Sequence, residues 1–355
     1  MENESICPLK KNQVKLLIVG SNSDYAIEKH YLKHLANNIA LSDLDFFPAQ
    51  QMFLDYYNQS LLHKVIYRLG LSKVLNTINR KLKAHIAAFS PDVVLVFKGM
   101  EIYPKTLQHI KKQGIKLVNY NADNPFVFTG RGSGNRNITN SIGIYDAFIS
   151  YDKGICKAME RNHKVKSYCI PFGYEPFRNE VAFHSDEILR VCFIGNGDSR
   201  RLEFLNQLAT KGLKIDLYGA YWKLSNLHDN IKLFSSKFGI DFIECIQKYR
   251  VQLNLMRIHN PDSHNMRTFE IAGYGGLQLA PETEDHSVFF QSNGEIFLFI
   301  SIEDCIEKAN SLLQLKKSQA DEFRKNAQLA CETKGYSYKN RTLQLLESLK
   351  EVFNV

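Results

Sequence analysis

No stretch of this sequence is apolar over the ~20 consecutive residues that a membrane-spanning helix needs. Met1 to Lys11 is mostly polar and carries no apolar h-region, so no signal peptide is expected. The expected location is the cytoplasm, with peripheral contact at the inner face of a membrane left open. The seven cysteines, Cys7, Cys156, Cys169, Cys192, Cys245, Cys305 and Cys331, form no C-x2-C pair and are odd in number. They read as reduced thiols and not as a disulfide framework or a zinc site. There is no Walker loop, no G-x-S-x-G elbow and no complete G-x-G-x-x-G, since Gly20-Ser-Asn-Ser-Asp24 breaks that pattern. Asp43-Leu-Asp45 has the Asp-x-Asp spacing of some metal sites but is short and stands far from the motifs below. His259 and His264 lie five apart on a proline-containing loop with no second ligand pair. Neither metal nor cofactor is expected. The chain has no low-complexity tract and no internal repeat.

A formal net charge of +8 over 355 residues is compatible with an anionic ligand or an anionic membrane surface. The basic residues are dispersed and no nucleic-acid-binding motif accompanies them, so a nucleic-acid partner is not expected. The length suggests two domains.

Apolar runs ending in small residues alternate with helical periodicity, the pattern of parallel α/β sheets. In the first half, strands are expected at 14–20, 92–97, 115–120, 145–150 and 167–170. Helices are expected at 25–39, 61–89, 104–113 and 153–161. Pro171-Phe-Gly-Tyr-Glu-Pro176 reads as a linker. The alternation then restarts, with strands at 190–194, 214–218, 251–255, 276–280 and 298–300. Helices are expected at 200–212, 242–250, 268–274, 302–315, 318–333 and 337–353.

The most informative stretch is Asn260-Pro-Asp-Ser-His-Asn-Met-Arg-Thr-Phe-Glu-Ile-Ala-Gly-Tyr-Gly-Gly276. A polar loop enters a helix whose first amides can face an anion. Arg267 can add a charge-assisted contact, and the Glu270 carboxylate suits two adjacent hydroxyls such as those of a ribose. Arg267-Thr-Phe-Glu270 followed by Gly275-Gly276 and an apolar strand resembles the GT-B glycosyltransferases. It is similar in particular to the spore-maturation-protein branch of their group-1 superfamily. In that superfamily two acidic residues eight apart mark the donor site. Here they are Asp262 and Glu270, the first departing from the usual Glu. Phe193-Ile-Gly-Asn196 with Arg200-Arg201, Leu217-Tyr-Gly-Ala-Tyr-Trp222, Leu253-Asn-Leu-Met-Arg257 and Gly335-Tyr-Ser-Tyr-Lys-Asn-Arg341 extend the resemblance over the second half. In the first half it is carried by Val94 to Gly99, Tyr120-Asn-Ala-Asp-Asn-Pro125 and Ile170 to Pro176.

The resemblance implies two Rossmann-like lobes with a cleft between them: an acceptor lobe over 1–172, a nucleotide-sugar lobe over 173–335, and a final helix, 336–355, returning to the first lobe. It implies a nucleotide-sugar donor and a glycan, lipid-linked or protein acceptor, in a retaining, metal-independent transfer. The donor would be held by Gly195, Asn196, Arg200, Arg201, Tyr218, Arg257, Asp262, His264, Asn265, Met266, Thr268, Phe269 and Glu270. Arg267 would stabilise the departing diphosphate, and Asp123 would stand as acceptor-side base. The basic, glycine-rich Gly130–Arg136 reads as a surface loop that could meet an acceptor phosphate. A nucleotide-sugar epimerase of the same fold and a non-catalytic two-lobe binding protein are the rival readings.

Overall fold

The computed structural model describes residues 14–128, 132–177, 186–257 and 262–353. His259, Gly130 and Arg131 of the motifs above lie outside them. The chain divides into two compact units, one comprising Met1–Pro171 with Arg341–Val355 and the other Phe172–Asn340.

The first unit runs β1 (Leu16–Val19), α1 (Ile27–Leu35), β2 (Leu44–Phe47), α2 (Ala49–Tyr57), α3 (Leu61–Arg68), α4 (Val74–Phe89), β3 (Val93–Phe97), α5 (Pro104–Lys111), β4 (Lys116–Asn121), α6 (Arg136–Thr139), β5 (Ala147–Ser150), α7 (Lys153–Ala158) and β6 (Lys166–Cys169). The strands pair in parallel in the order β2-β1-β3-β4-β5-β6. β1 and β3, Leu-Leu-Ile-Val and Val-Val-Leu-Val-Phe, are buried at every position. That is why they read as continuous apolar runs and not as alternating ones. Leu82, Ile86, Leu107 and Ile110 of the flanking helices pack on them.

The second unit runs β7 (Ile188–Ile194), α8 (Ser199–Thr210), β8 (Ile215–Tyr218), β9 (Ile231–Phe234), α9 (Gly239–Lys248), β10 (Tyr249–Leu253), α10 (Met266–Gly273), β11 (Gln278–Pro281), α11 (Glu284–Phe289), β12 (Phe297–Phe299), α12 (Ile302–Gln314) and α13 (Lys317–Thr333). α14 (Tyr338–Phe353) follows, and within it the chain re-enters the first unit at Arg341. The second sheet is also all-parallel, in the order β12-β11-β10-β7-β8-β9. Read by chain position, this is the 3-2-1-4-5-6 order of doubly wound dinucleotide folds, whose ligands bind where the winding reverses. In this unit the reversal lies between β7 and β10; in the first unit it lies between β1 and β3.

The structure departs from the sequence reading in a few places. The expected helix 61–89 is two helices, because the chain breaks after Arg68 through Gly70, which has φ +73°. β2, α2, β9 and α11 had not been expected. β2 and β9 are outermost strands of their sheets and only partly buried, so each lacks the long apolar run that marks a central strand. The boundary expected near residue 250 falls earlier: α9 ends at Lys248 and β10 begins at Tyr249 with no intervening turn residues.

One buried ion cluster ties the base of the second sheet together. Glu187, just before β7, pairs with Arg250 of β10 at 2.5 Å and with Arg324 of α13. Arg250 also donates to the Leu315 carbonyl at 2.7 Å, and Arg324 pairs with Asp321 at 2.9 Å. Burial alone would raise the Glu187 carboxyl, but hydrogen bonds from Arg250 and Arg324 bring it below the ordinary carboxylate range. Removing the shared carboxylate leaves two buried guanidiniums short of a partner. Glu187→Ala is therefore expected to destabilise the second unit by roughly 3–5 kcal/mol. Urea unfolding followed by the fluorescence of Trp222, the sole tryptophan, measures it. An unchanged midpoint would contradict this account.

Candidate active site

The loops at the carboxyl ends of β7 and β8 are fastened backbone to backbone. The Gly195 amide donates to the Tyr218 carbonyl at 2.8 Å and the Gly197 amide to the Ala220 carbonyl at 2.9 Å. Gly219 has φ +155°, and a Cβ there would stand 2.0 Å from the Gly195 oxygen, so no other residue fits this approach. The Trp222 indole donates to the same oxygen at 3.0 Å.

Asp198 caps α8 by accepting from the Arg201 amide at 2.9 Å. The Arg201 side chain then turns inward. It donates to the carbonyls of Leu255 at 2.6 Å, Asn196 at 3.1 Å and Met256 at 3.4 Å, with its guanidinium 5.4 Å over the Phe193 ring. One side chain thus clamps the loop after β7 to the loop after β10. Burial lowers its pKa to about 10; Asp198 opposes the shift, and the neighbouring charges of Arg257 and Arg267 add to it. It remains a cation at neutral pH.

The start of α10 is built by a polar network. Asn265 is the N-cap, accepting from the Thr268 amide at 3.1 Å, while the Thr268 hydroxyl accepts from the Asn265 amide at 3.3 Å. The Asn265 amide group also donates to Asn254 at 2.8 Å. The Thr268 hydroxyl contacts the Asn254 amide group at 3.2 Å and His286 Nε2 at 3.0 Å. His286 Nδ1 lies 2.8 Å from the Pro281 carbonyl. A carbonyl can only accept, so Nδ1 carries the proton and Nε2 accepts from Thr268. Burial holds His286 down at about 4, keeping it neutral. His264 is also committed: Nδ1 lies 2.7 Å from Asp285, and Nε2 accepts from the Phe172 amide at 3.2 Å.

Past this cap, Arg267 and Glu270 form an ion pair on the first turns of α10. The Arg267 guanidinium lies 4.1 Å over the Phe242 ring and its Nε donates to the Ile194 carbonyl at 3.4 Å. Arg267 is partly open to solvent and Glu270 mostly covered.

In the first unit a second polar centre occupies the reversal between β1 and β3. The buried Glu28 carboxylate accepts from the Ser21 amide at 2.9 Å. Lys98, at φ +59° just after β3, pairs with Asp123 at 2.6 Å and donates to the Gly132 carbonyl at 2.6 Å. Asp123 is seated by its own amide, which donates to Asn121 Oδ1 at 3.0 Å. Burial pushes Glu101 up to about 7, with Lys98 opposing and Glu28 reinforcing the shift. The Asn121 side-chain nitrogen is fully buried and has no partner among the described residues.

Residues 200–347 match the family described as glycosyl transferase-like. No curated protein matches the sequence. Among solved structures, sucrose-phosphate synthase from Thermosynechococcus elongatus superposes with a TM-score of 0.69 at 12% identity, covering 96% of this chain and 99% of that one. HepE from Anabaena, in complex with UDP, gives 0.61 at 12% identity, covering 95% and 100%. A structure assigned as a UDP-N-acetylglucosamine 2-epimerase from Listeria monocytogenes gives 0.59 at 14% identity, covering 97% of each chain. At such identities the likeness speaks for the fold alone. The chain has the GT-B fold, and its residues 200–347 are similar to the glycosyl transferase-like family.

The second unit gathers Gly195, Asn196, Arg201, Arg257, Arg267 and Glu270 around the reversal of its sheet. Arg200, Arg257, Asn196 and Asp262 are exposed, and Met266 is half-buried. Other residues expected to touch the donor are spent on the fold. Phe269 is fully buried in an aromatic cluster with Phe289, Phe290 and Tyr336. His264, Asn265 and Thr268 shape the entry to α10. Tyr218 stacks on Phe234 at 4.8 Å, and its hydroxyl lies 2.8 Å from that of Tyr249, which donates to Asp216. The supporting residues Asp198, Asn254, Phe242, Asp285 and His286 had not been singled out. Two of the caps were legible as Asp198-Ser-Arg-Arg201 and Thr283-Glu-Asp-His286; the network they complete joins positions distant in sequence.

The neutral His286 has a pH consequence. Its folded pKa, about 4, lies below the ordinary 6.5, so between those values the unfolded chain binds the extra proton. Stability of the second unit should therefore fall as pH drops from about 6.5 toward 4. His286→Gln, which cannot titrate, should flatten that slope in Trp222-monitored unfolding. An equal slope in both proteins would refute the assignment.

Proposed function

We propose that the protein is a glycosyltransferase that moves a sugar from a nucleotide-diphosphate donor to a glycan, lipid-linked or protein acceptor, with retained anomeric configuration and without a metal ion. The observation that carries this reading is the grouping of three guanidiniums, Arg201, Arg257 and Arg267, beside the start of α10, where the charges of the latter two add to the burial that lowers the first one's proton affinity. Such a concentration of positive charge at a helix N-terminus suits a diphosphate. In this reading Arg257 and Arg267, with the exposed Arg200, contact the phosphates. Arg201 is the clamp that aims the loops. On donor binding, Arg267 turns toward the phosphates and frees Glu270 to accept from the ribose hydroxyls. HepE, which shares the fold, is recorded with UDP, and a uridine nucleotide is the first donor to try.

In the transfer, the bond between the anomeric carbon and the diphosphate oxygen breaks, and a bond from that carbon to the acceptor oxygen forms. The acceptor proton leaves with the diphosphate or passes to Asp123. Charge developing on the leaving group is met by guanidiniums already in place, which is where electrostatic catalysis is most effective. The Lys98–Asp123 pair of the first unit would orient the acceptor hydroxyl.

The test is a panel of UDP-, GDP-, ADP- and CMP-sugars, with binding read from Trp222, whose indole touches the Gly195 loop. Glu270→Ala should weaken the accepted donor at least about tenfold, the value of a hydrogen bond to a charged group. Arg267→Ala should lower kcat more than it raises KM. Unchanged affinity and turnover in Glu270→Ala would remove this reading. Interconversion of the donor sugar without release of nucleotide diphosphate would assign an epimerase instead.

A further inference from the structure

From Tyr56 to Pro91 the chain holds no aspartate or glutamate, yet it carries Lys64, Arg68, Lys73, Arg80, Lys81 and Lys83. These six cations compare with a net charge of +8 for the whole molecule. Among the described residues none of them is paired with a carboxylate. The same segment exposes a row of large apolar side chains: Leu61 is 79% exposed, Leu62 64%, Val65 46%, Leu69 67% and Leu71 71%.

The geometry of α3 explains why they face outward. Ser60 caps the helix, accepting from the His63 amide at 3.3 Å. Tyr67 packs edge-on against Phe53 of α2 at 4.8 Å and against Tyr57 at 5.7 Å, and His63 packs against Tyr56 at 4.8 Å. These aromatic contacts fix one side of α3 to α2. At ~100° per residue, Leu61, Leu62, Val65 and Leu69 then fall within about 100° of one another on the other side. Lys64 and Arg68 border this row, their stems held at Tyr57: the Lys64 ammonium lies 5.6 Å from the ring centre, and Arg68 donates to the hydroxyl at 3.4 Å. None of the α3 side chains is buried. The fold itself does not call for four leucines and a valine here.

We infer that the outer face of α3, with the Leu69–Lys73 turn after it, is a docking surface for an anionic lipid membrane. A leucine row edged by cations, in a segment free of carboxylates, has the composition of helices that lie in the interfacial plane of a bilayer. The apolar side chains enter the headgroup boundary while the lysines and arginines meet lipid phosphates. Arg80, Lys81 and Lys83 on α4, which also packs on α2, add to the attraction before contact. This surface is independent of the donor site and does not rest on its assignment. It would bring the enzyme to acceptors carried on or near a membrane.

The experiment is sedimentation of the full chain with phosphatidylcholine vesicles, with and without phosphatidylglycerol. Binding is expected with the anionic vesicles alone and should weaken on raising salt from about 0.1 to about 0.5 M, as the Debye length shortens. The triple variant Leu61→Ser, Leu62→Ser, Leu69→Ser should lose at least about tenfold in partitioning. Its thermal midpoint and donor turnover should be unchanged, because these side chains lie outside the core. Arg68→Glu with Lys73→Glu should abolish the preference for anionic lipid. Absence of vesicle binding, equal binding to uncharged vesicles, or full binding by the triple-serine variant would each overturn the inference. So would a dimer in light scattering that the serine variant abolishes while vesicles are not bound.

Discussion

The candidate site of the second unit depends on one buried cation. Arg201 reaches from α8 to the carbonyls of Asn196, Leu255 and Met256, and so holds two loops that leave neighbouring strands at the reversal of the sheet. A buried charge is tolerated when its donors are satisfied, and backbone carbonyls do that without neutralising it. The positive charge therefore survives inside the site. Arg257 and Arg267 add to it, and Asp198 and Glu270 balance it only in part. The architecture that shapes the loops is the same one that leaves the site cationic.

α10 contributes a second constraint. Its N-terminus is organised by Asn265, Thr268, Asn254 and His286, each using side-chain atoms that a ligand might otherwise have claimed. With those groups engaged, Arg267 and Glu270 are the ones on the first turns that can exchange partners. A capped helix start therefore narrows the chemistry to a guanidinium and a carboxylate one turn apart. The polar centre of the first unit differs in kind: Glu28, Glu101 and Asp123 surround one lysine, Lys98. Carboxylates with a single cation suit hydroxyl recognition and proton movement, whereas the cationic second-unit site suits phosphate.

The strands that bound both sites were the easiest to read. β1, β3 and β7 are central, and their apolar runs reflect burial on both faces. β2 and β9 were missed because an outermost strand is half-covered and carries Asp45 or Lys232 within it. The break at Gly70 was missed because the apolar spacing continues across it, into the exposed leucines around the turn. Apolar spacing reports amphipathicity, and here part of the amphipathic face belongs to the surface.

The sequence by itself determined the alternating α/β architecture in two halves and the Arg267–Glu270 motif at a helix start, because burial and capping act over a few consecutive residues. It also carried the acid-free cationic segment, visible as composition. Tertiary structure alone decided which polar residues stay available. His264, Thr268 and Phe269 sit in the same motif as Arg267, and Tyr218 in the motif that ends β8, yet their partners are Asp285, His286, Tyr336 and Tyr249. Those partners arrive from distant parts of the chain, and no local pattern foretells a contact made across the sheet.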